Sequence, residues 1–382
     1  MAEKIRIMLV DDSAVIRRLL TDVLAGDPQL DVVGSAQNGQ VALDKLSTIN
    51  PDMVILDVEM PVMDGLETLT EIRKRQPRLP VIMFSSITER GAAVTLEALG
   101  RGANDYVTKP ANTGNMMASL QRVRDELIPR IKVFCRHLLN APAAAAIKPP
   151  ARPAPLARPA PLTAPEPLAR PAPLTAPEPL ARPALRPARP RIDIVAIGVS
   201  TGGPNALAEL LPRLPAHFPA PIVIVQHMPP IFTRLLAERL AAQSALPVAE
   251  AEAGEVLRPG QIRLAPGGSH LALERQGGQV RLQLNQDPPE NSCRPEVDVL
   301  FRSVAATYQG NALAVVLTGM GNDGLRGCEA IRNAGGQILV QDEASSVVWG
   351  MPGFVARAGL ADGQIALNQM AGEILSRVRL TR

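Results

Sequence analysis

At 382 residues the chain is long enough for two or three domains, each burying its own core. Hydrophobic residues make up 46% and charged residues 20%, as in soluble globular proteins, and no apolar run nears the roughly eighteen residues that would insert into a membrane. The net charge of +3 does not mark a nucleic-acid surface: residues 141–191 hold eight basic side chains against two glutamates, so the rest of the chain is net −3, and aromatic residues that could stack on bases are only 2%.

The opening "MAEKIRIMLVDD" lacks a basic region, apolar core and cleavage site, so no secretion signal is expected. Up to about residue 139, short apolar runs alternate with helical patterns. The runs are "IRIMLV" (5–10), "DVVGSA" (31–36), "DMVIL" (52–56), "PVIMFS" (80–85) and "DYVTK" (105–109). Between them, stretches such as "SAVIRRLLTDVLAG" place apolar residues at i, i+3 and i+4. Five such runs with crossover helices predict an α/β fold with a five-stranded, doubly wound parallel sheet.

In such a sheet Asp11 and Asp12 close the first strand, Asp57 closes the third, Ser85 ends the fourth and Lys109 follows the fifth. All would emerge at the carboxyl edge, where open α/β folds bind ligands. Three carboxylates there call for a hard cation, and Mg²⁺ accepts such oxygens. The set suits phosphorylation of a carboxylate, with Asp57 as nucleophile and Mg²⁺ and Lys109 screening the phosphoryl oxygens. Any single aspartate of this kind is more often a helix cap; five placed residues argue against that.

The stretches "LVDDSAVIRRLL", "VILDVEMPVMDGLE", "MFSS" and "DYVTKP" closely resemble response-regulator receiver domains, with a flavodoxin-like fold over residues 1–125. The resemblance implies that Asp57 accepts phosphate from a histidine kinase. Asp12 and Asp57 would then ligate Mg²⁺ with the Glu59 carbonyl, beside Asp11. It further implies that Ser85 and Tyr106 are switch residues and that Lys109–Pro110 is a cis peptide.

Residues 126–190 read as a helix end followed by a Pro/Ala/Arg-rich linker. "PLARPAPLTAPE" at 155–166 repeats at 167–178 and starts again at 179. The repeat has too little to bury for a solenoid and reads as a polyproline-like tether, with recognition by a proline-binding domain as the other reading.

From 191 to 382 alternation resumes. "IDIVAIG", "APIVIVQHM", "ALAVVLTG" and "QILVQD" read as strands of a mainly parallel sheet. "QIRLAPG" and "LALERQGGQVRLQL" suggest a strand and a Gly-Gly hairpin, an antiparallel insertion, and "VDVLFRSVAATY" a helix. The three cysteines, Cys135, Cys293 and Cys328, form no C-x-x-C spacing; they suit a reducing cytoplasm and argue against a structural zinc or disulfide framework.

"GVSTGG" (198–203) sits at a strand-to-helix turn and fits either a nucleophile elbow or a phosphate-cradling loop. A dinucleotide site wants an acid after the next strand. There "PIVIVQ" ends instead in Gln226-His227, which favours Ser200 as nucleophile and His227 as base, its Nε2 taking the serine proton. His270 is the reserve base; His217 lies in a turn and His137 precedes the linker. Asp323, in the glycine-rich turn after "ALAVVLTG", is the candidate orienting acid, with helix capping as its bland alternative. A backbone N–H near Met320 could stabilise an oxyanion.

"IGVSTGGPNAL", "PIVIVQHMPPIFT", "APGGSHL", "CRPEVDVLFRSVA" and "LTGMGNDGLRG" strongly resemble the catalytic domain of chemotaxis protein-glutamate methylesterases, the CheB family. The resemblance implies a phosphorylation-activated enzyme of the cytoplasm. It would demethylate glutamyl methyl esters and deamidate certain glutamines on methyl-accepting chemoreceptors, with a chemotaxis histidine kinase as phosphodonor. It assigns Ser200, His227, Asp323 and the Met320 backbone the roles above, with no cofactor for ester hydrolysis. Ser292-Cys293 stand where relatives tend to carry basic or imidazole side chains, a departure that bears on substrate contacts. The rival class is a non-enzymatic, phosphorylation-switched binding module using the same cleft. A DNA-binding output is disfavoured, since no compact trihelical basic unit appears.

Overall fold

The computed structural model describes residues 4–110, 116–139 and 191–379. The proline-rich repeats lie outside the described residues. The first sheet has strands β1 (Ile5–Val10), β2 (Leu30–Ala36), β3 (Met53–Asp57), β4 (Val81–Ser85) and β5 (Asp105–Thr108) in the order β2-β1-β3-β4-β5, all parallel. Helices α1 (Ala14–Ala25), α2 (Gly39–Ile49), α3 (Gly65–Arg75), α4 (Glu89–Gly100) and α5 (Met116–Phe134) make the crossovers and close the unit, and a short α6 (Arg136–Leu139) follows.

Local chemistry sets these boundaries. Ser13, Asn38, Asp64 and Thr88 each accept a backbone N–H at a helix start, and Asp64 with Glu67 forms a reciprocal capping box. β3 and β4 are buried at every position, so both faces are covered by helices, as a parallel sheet requires.

The second part holds β6 (Ile194–Val199), α7 (Gly203–Leu210), β7 (Ile222–Gln226), α8 (Pro230–Ala241), β8 (Val248–Glu250), β9 (Ile262–Leu264) and the hairpin β10 (His270–Gln276) and β11 (Gln279–Asn285). Then come α9 (Val297–Tyr308), β12 (Ala312–Val316), α10 (Leu325–Asn333), β13 (Gln337–Gln341), α11 (Met351–Arg357), β14 (Gly363–Ile365) and α12 (Leu367–Arg379). Seven strands pair in the order β14-β13-β12-β6-β7-β9-β8, all parallel, while β10 and β11 form a separate antiparallel pair. β6, β7, β12 and β13 are buried throughout. The expected α/β architecture and antiparallel insertion are both present. The edge strands β8 and β14 are three residues each, too short to show a periodicity.

One apolar cluster runs from the first sheet into the second, joining Leu96 and Leu99 of α4 with Phe232 and Leu236 of α8. The cis peptide bond of the described residues is Arg294–Pro295, so Lys109–Pro110 does not take the cis form that the resemblance implies. No helix among the described residues is long and apolar enough to cross a membrane.

Candidate active site

β6 is the middle strand of the seven, flanked by β12 and β7. Val199 pairs with Gln226, so the next residues, Ser200 and His227, leave the carboxyl edge side by side. Asp323 arrives from the loop after β12, on the other side of β6. Three parallel strands thus bring Ser200, His227 and Asp323 to one edge.

His227 Nε2 lies 2.7 Å from Asp323 Oδ2. This corrects the sequence expectation: Nε2 is committed to the acid, and Nδ1 is the nitrogen left to take a proton from serine. The error was one of side-chain orientation, which strand order does not determine. Among the described residues no hydrogen bond joins Ser200 Oγ to His227.

Asp323 is nearly fully buried and its carboxylate is well supplied with donors. Besides His227, Oδ2 accepts Val297 N at 2.7 Å, and Oδ1 accepts Asp298 N at 2.9 Å and Gly324 N at 2.6 Å. The first two donors open α9, so Asp323 sits on a helix N-terminus that favours its negative charge. Burial alone would raise its pKa, but His227 and these N–H groups hold it below the ordinary carboxylate value. Burial likewise works against the His227 cation, yet its hydrogen bond to Asp323 and the nearby Cys293 sulfur outweigh it and push the imidazole up to about 10.

The glycines around Ser200 are there for space. Gly202 has φ +80°, and a Cβ on it would come within 2.7 Å of Val347. A Cβ on Gly319 would stand 2.9 Å from Ser200 Cβ, which places the turn after β12 against the serine. The next N–H, of Met320, donates no hydrogen bond among the described residues. The turn is held by Gly319 N to Val348 O (3.0 Å) and by Gly350 N and Met351 N to Gly319 O (3.1 and 2.9 Å).

His270, the reserve base, is buried in the hairpin, its Nε2 3.3 Å from Pro288 O, and makes no hydrogen bond to the other three among the described residues. His217 and His137 are exposed. Two contacts escaped sequence reasoning. The buried Gln226 donates from Nε2 to Ser200 O at 3.0 Å, bracing the turn; in the sequence it counted only as a missing acid. Cys293, noted for its place before Arg294-Pro295, lies near enough to His227 to help raise the imidazole's pKa. A cavity of about 560 Å³ lies elsewhere, near Asp193, Pro221 and Tyr308 at the amino ends of the strands.

In the first sheet, Lys109 Nζ bridges Asp11 Oδ2 (2.9 Å) and Asp57 Oδ2 (2.8 Å). Burial, reinforced by Asp11 and opposed by Lys109, pushes Asp57 up to about 6. Burial works against the Lys109 cation, but Asp57 and Asp11 raise its pKa on balance. One oxygen each of Asp11, Asp12 and Asp57 lies within 4.8 Å of the others, and a cavity of about 440 Å³ lined by Asp12, Glu59 and Met60 opens there. Two buried carboxylates with a single ammonium between them, and a third beside them, fit a divalent cation. Ser85 Oγ accepts from Thr95 Oγ1 of α4 (2.7 Å) and donates to Gly91 O (3.2 Å), so this hydroxyl is tied to α4.

α4 packs on α7 and α8, the helices that follow Ser200 and His227. Asn205 Nδ2 donates to Leu99 O (2.8 Å), Arg239 donates to Leu96 O and Arg234 pairs with Glu89. The Tyr106 ring stacks on Phe232, centroids 4.7 Å apart and planes 9° from parallel.

Comparison with known proteins accords with this geometry. Residues 195–374 match the CheB methylesterase family and residues 7–121 the response regulator receiver domain. A protein-glutamate methylesterase/protein-glutamine glutaminase of Trichodesmium erythraeum is 52% identical over 98% of this chain and 99% of its own. One from Nocardioides is 47% identical, over 99% of this chain and 96% of its own. The crystal structure of the Thermotoga maritima CheB methylesterase catalytic domain is 43% identical, covering 48% of this chain and 98% of its own, with a TM-score of 0.48. The chain belongs to the CheB methylesterase family, with a response regulator receiver domain ahead of the methylesterase domain.

Proposed function

We propose that the chain is a phosphorylation-controlled serine hydrolase that demethylates glutamyl methyl esters, and deamidates certain glutamines, on the cytoplasmic helices of methyl-accepting chemoreceptors. Its parts are a receiver (1–125), a helix end with a Pro/Ala/Arg-rich linker (126–190) and a hydrolase (191–382). The observation that carries the reading is the His227–Asp323 contact beside Ser200 at one sheet edge.

Ser200 Oγ attacks the ester carbonyl and passes its proton to His227 Nδ1, while Asp323 steadies the ring through Nε2. The Met320 N–H stabilises the oxyanion. The C–O bond to methoxide breaks, His227 returns the proton, and methanol leaves an acyl-Ser200. Water, deprotonated by His227, then releases the glutamate. With glutamine the leaving group is ammonia.

The receiver regulates this site. Asp57 accepts phosphate from a chemotaxis histidine kinase; Asp11, Asp12 and Asp57 would hold Mg²⁺, which neutralises phosphoryl charge when bound. Two features support an inhibitory resting state. The His227 imidazole is pushed up to about 10 and has no hydrogen bond to Ser200, and α4 grips the helices that follow both residues. Drawing Ser85 toward a phosphoryl group breaks its tie to α4 and loosens that grip.

The test is methanol release from methylated receptor, with and without a small phosphodonor, for wild type, Ser200→Ala and Asp57→Asn. Stimulation lost in Asp57→Asn and turnover lost in Ser200→Ala are expected. Retained turnover in Ser200→Ala would sink the nucleophile assignment.

A further inference from the structure

Glu296 is buried with 0% exposure at the N-cap of α9, the helix whose first two N–H groups hold Asp323. Asn291 Nδ2 donates to its Oε1, while Oε2 has no hydrogen-bond partner among the described residues. One oxygen each of Glu296, Asp298 and Asp323 lies within 4.8 Å of the others. The charged groups that face Glu296 are Asp323 from the loop after β12, Asp298 from α9, and Glu290, whose charge is paired with Arg302 at 2.6 Å. His227 lies beyond Asp323.

A cation does not suit this cluster. Both Asp323 oxygens are already filled by three N–H groups and His227, and Asp298 Oδ1 accepts Gly327 N at 2.6 Å. Three buried carboxylates so close together do not all stay charged, and the one with a buried oxygen that lacks a partner keeps its proton. That one is Glu296: burial, then the Asp323 charge, push it up to about 8, whereas burial pushes Asp298 only to about 6 and Asp323 is held low.

We propose that Glu296 is a positioning residue of the hydrolytic site, resting as the neutral acid beside Asp323 and, on ionising, tightening through Asp323 the hold of His227 on its proton. This rests on His227 being the base of the proposed mechanism. The sign follows from the order of ionisation. As pH rises, Glu296 becomes charged near 8, before His227 yields its proton near 10. The new negative charge stabilises the imidazolium, so the rising limb of hydrolysis is displaced to higher pH.

The experiment is the pH profile of methanol release by the full chain with a phosphodonor, for wild type and Glu296→Gln, which keeps the Asn291 contact but cannot ionise. The midpoint of the rising limb should fall by about one pH unit, a gain of up to about tenfold on that limb. An unshifted midpoint overturns the proposal. The His227 imidazole, titrated by NMR in a Ser200→Ala background with and without Glu296→Gln, reads the same shift without turnover; equal midpoints overturn it too. Should the Gln variant not fold, Glu296→Ser serves in both measurements. If Ser200→Ala itself keeps full turnover, the hydrolase reading has failed; if it is inactive and the midpoints coincide, only the role of Glu296 has.

Discussion

Tyr106, on the last strand of the receiver sheet, stacks its ring face to face on Phe232, five residues after His227. Such a pair contributes about 0.5–1.5 kcal/mol beyond its buried area. Tyr106→Ala is therefore expected to raise methylesterase turnover without phosphodonor by roughly two- to tenfold and to shrink the stimulation that phosphodonor adds. Methanol release measured both ways checks this; an unchanged ratio would show that the stack transmits nothing.

Asp323→Asn should cost about 10³-fold or more in kcat, because a neutral amide can neither hold the Nδ1-accepting tautomer nor balance the imidazolium. It also offers two N–H donors where Val297, Asp298 and Gly324 donate, so stability should fall by about 1–3 kcal/mol. Turnover and urea unfolding read the two effects separately.

Gly202→Ala should impair both folding and turnover. At φ +80° a side chain is strained by about 1 kcal/mol or more, and the new Cβ would press on Val347 beside Ser200. A lowered Tm with an intact Asp57 phosphorylation rate would localise the damage to the hydrolase; an unchanged Tm would mean that the turn yields freely.

Asp57 makes the receiver pH-sensitive. Its folded pKa, near 6, lies above the ordinary 3.8, so the folded state binds more protons than the unfolded between these values. Stability from this group is present below about pH 4 and declines as pH rises through about 6. Asp57→Asn should remove that decline and gain roughly 1–3 kcal/mol at pH 8 over wild type. Mg²⁺ should narrow the difference by screening the wild-type carboxylates. Thermal melts at pH 5 and pH 8 would reveal the trend, and parallel melting at both values would contradict it.

Much of this arrangement was legible in the sequence because it depends on strand ends. Apolar runs marked β6, β7 and β12, and a parallel sheet puts whatever follows them on one edge, so Ser200, His227 and Asp323 could be grouped without coordinates. Which imidazole nitrogen meets Asp323 was not legible, since that depends on a side-chain torsion. Nor were the contacts of residues 290–296: this segment has no periodicity, two residues with positive φ (Asn291 and Ser292) and partners far off in sequence. The face of α4 that meets α7 and α8 was hidden for another reason. Helical periodicity reports which side of a helix is apolar, not whether its own sheet or another covers it.

Ser200 stands on the fourth of seven strands, with three on either side. Fraying begins at margins, and here the margins are β14 and β8, strands of three residues whose loss would leave β12, β6 and β7 zipped. Amide exchange should thus be fastest at these rims and slowest at the centre, where Ser200 stands. The domain can breathe at its borders without displacing Ser200.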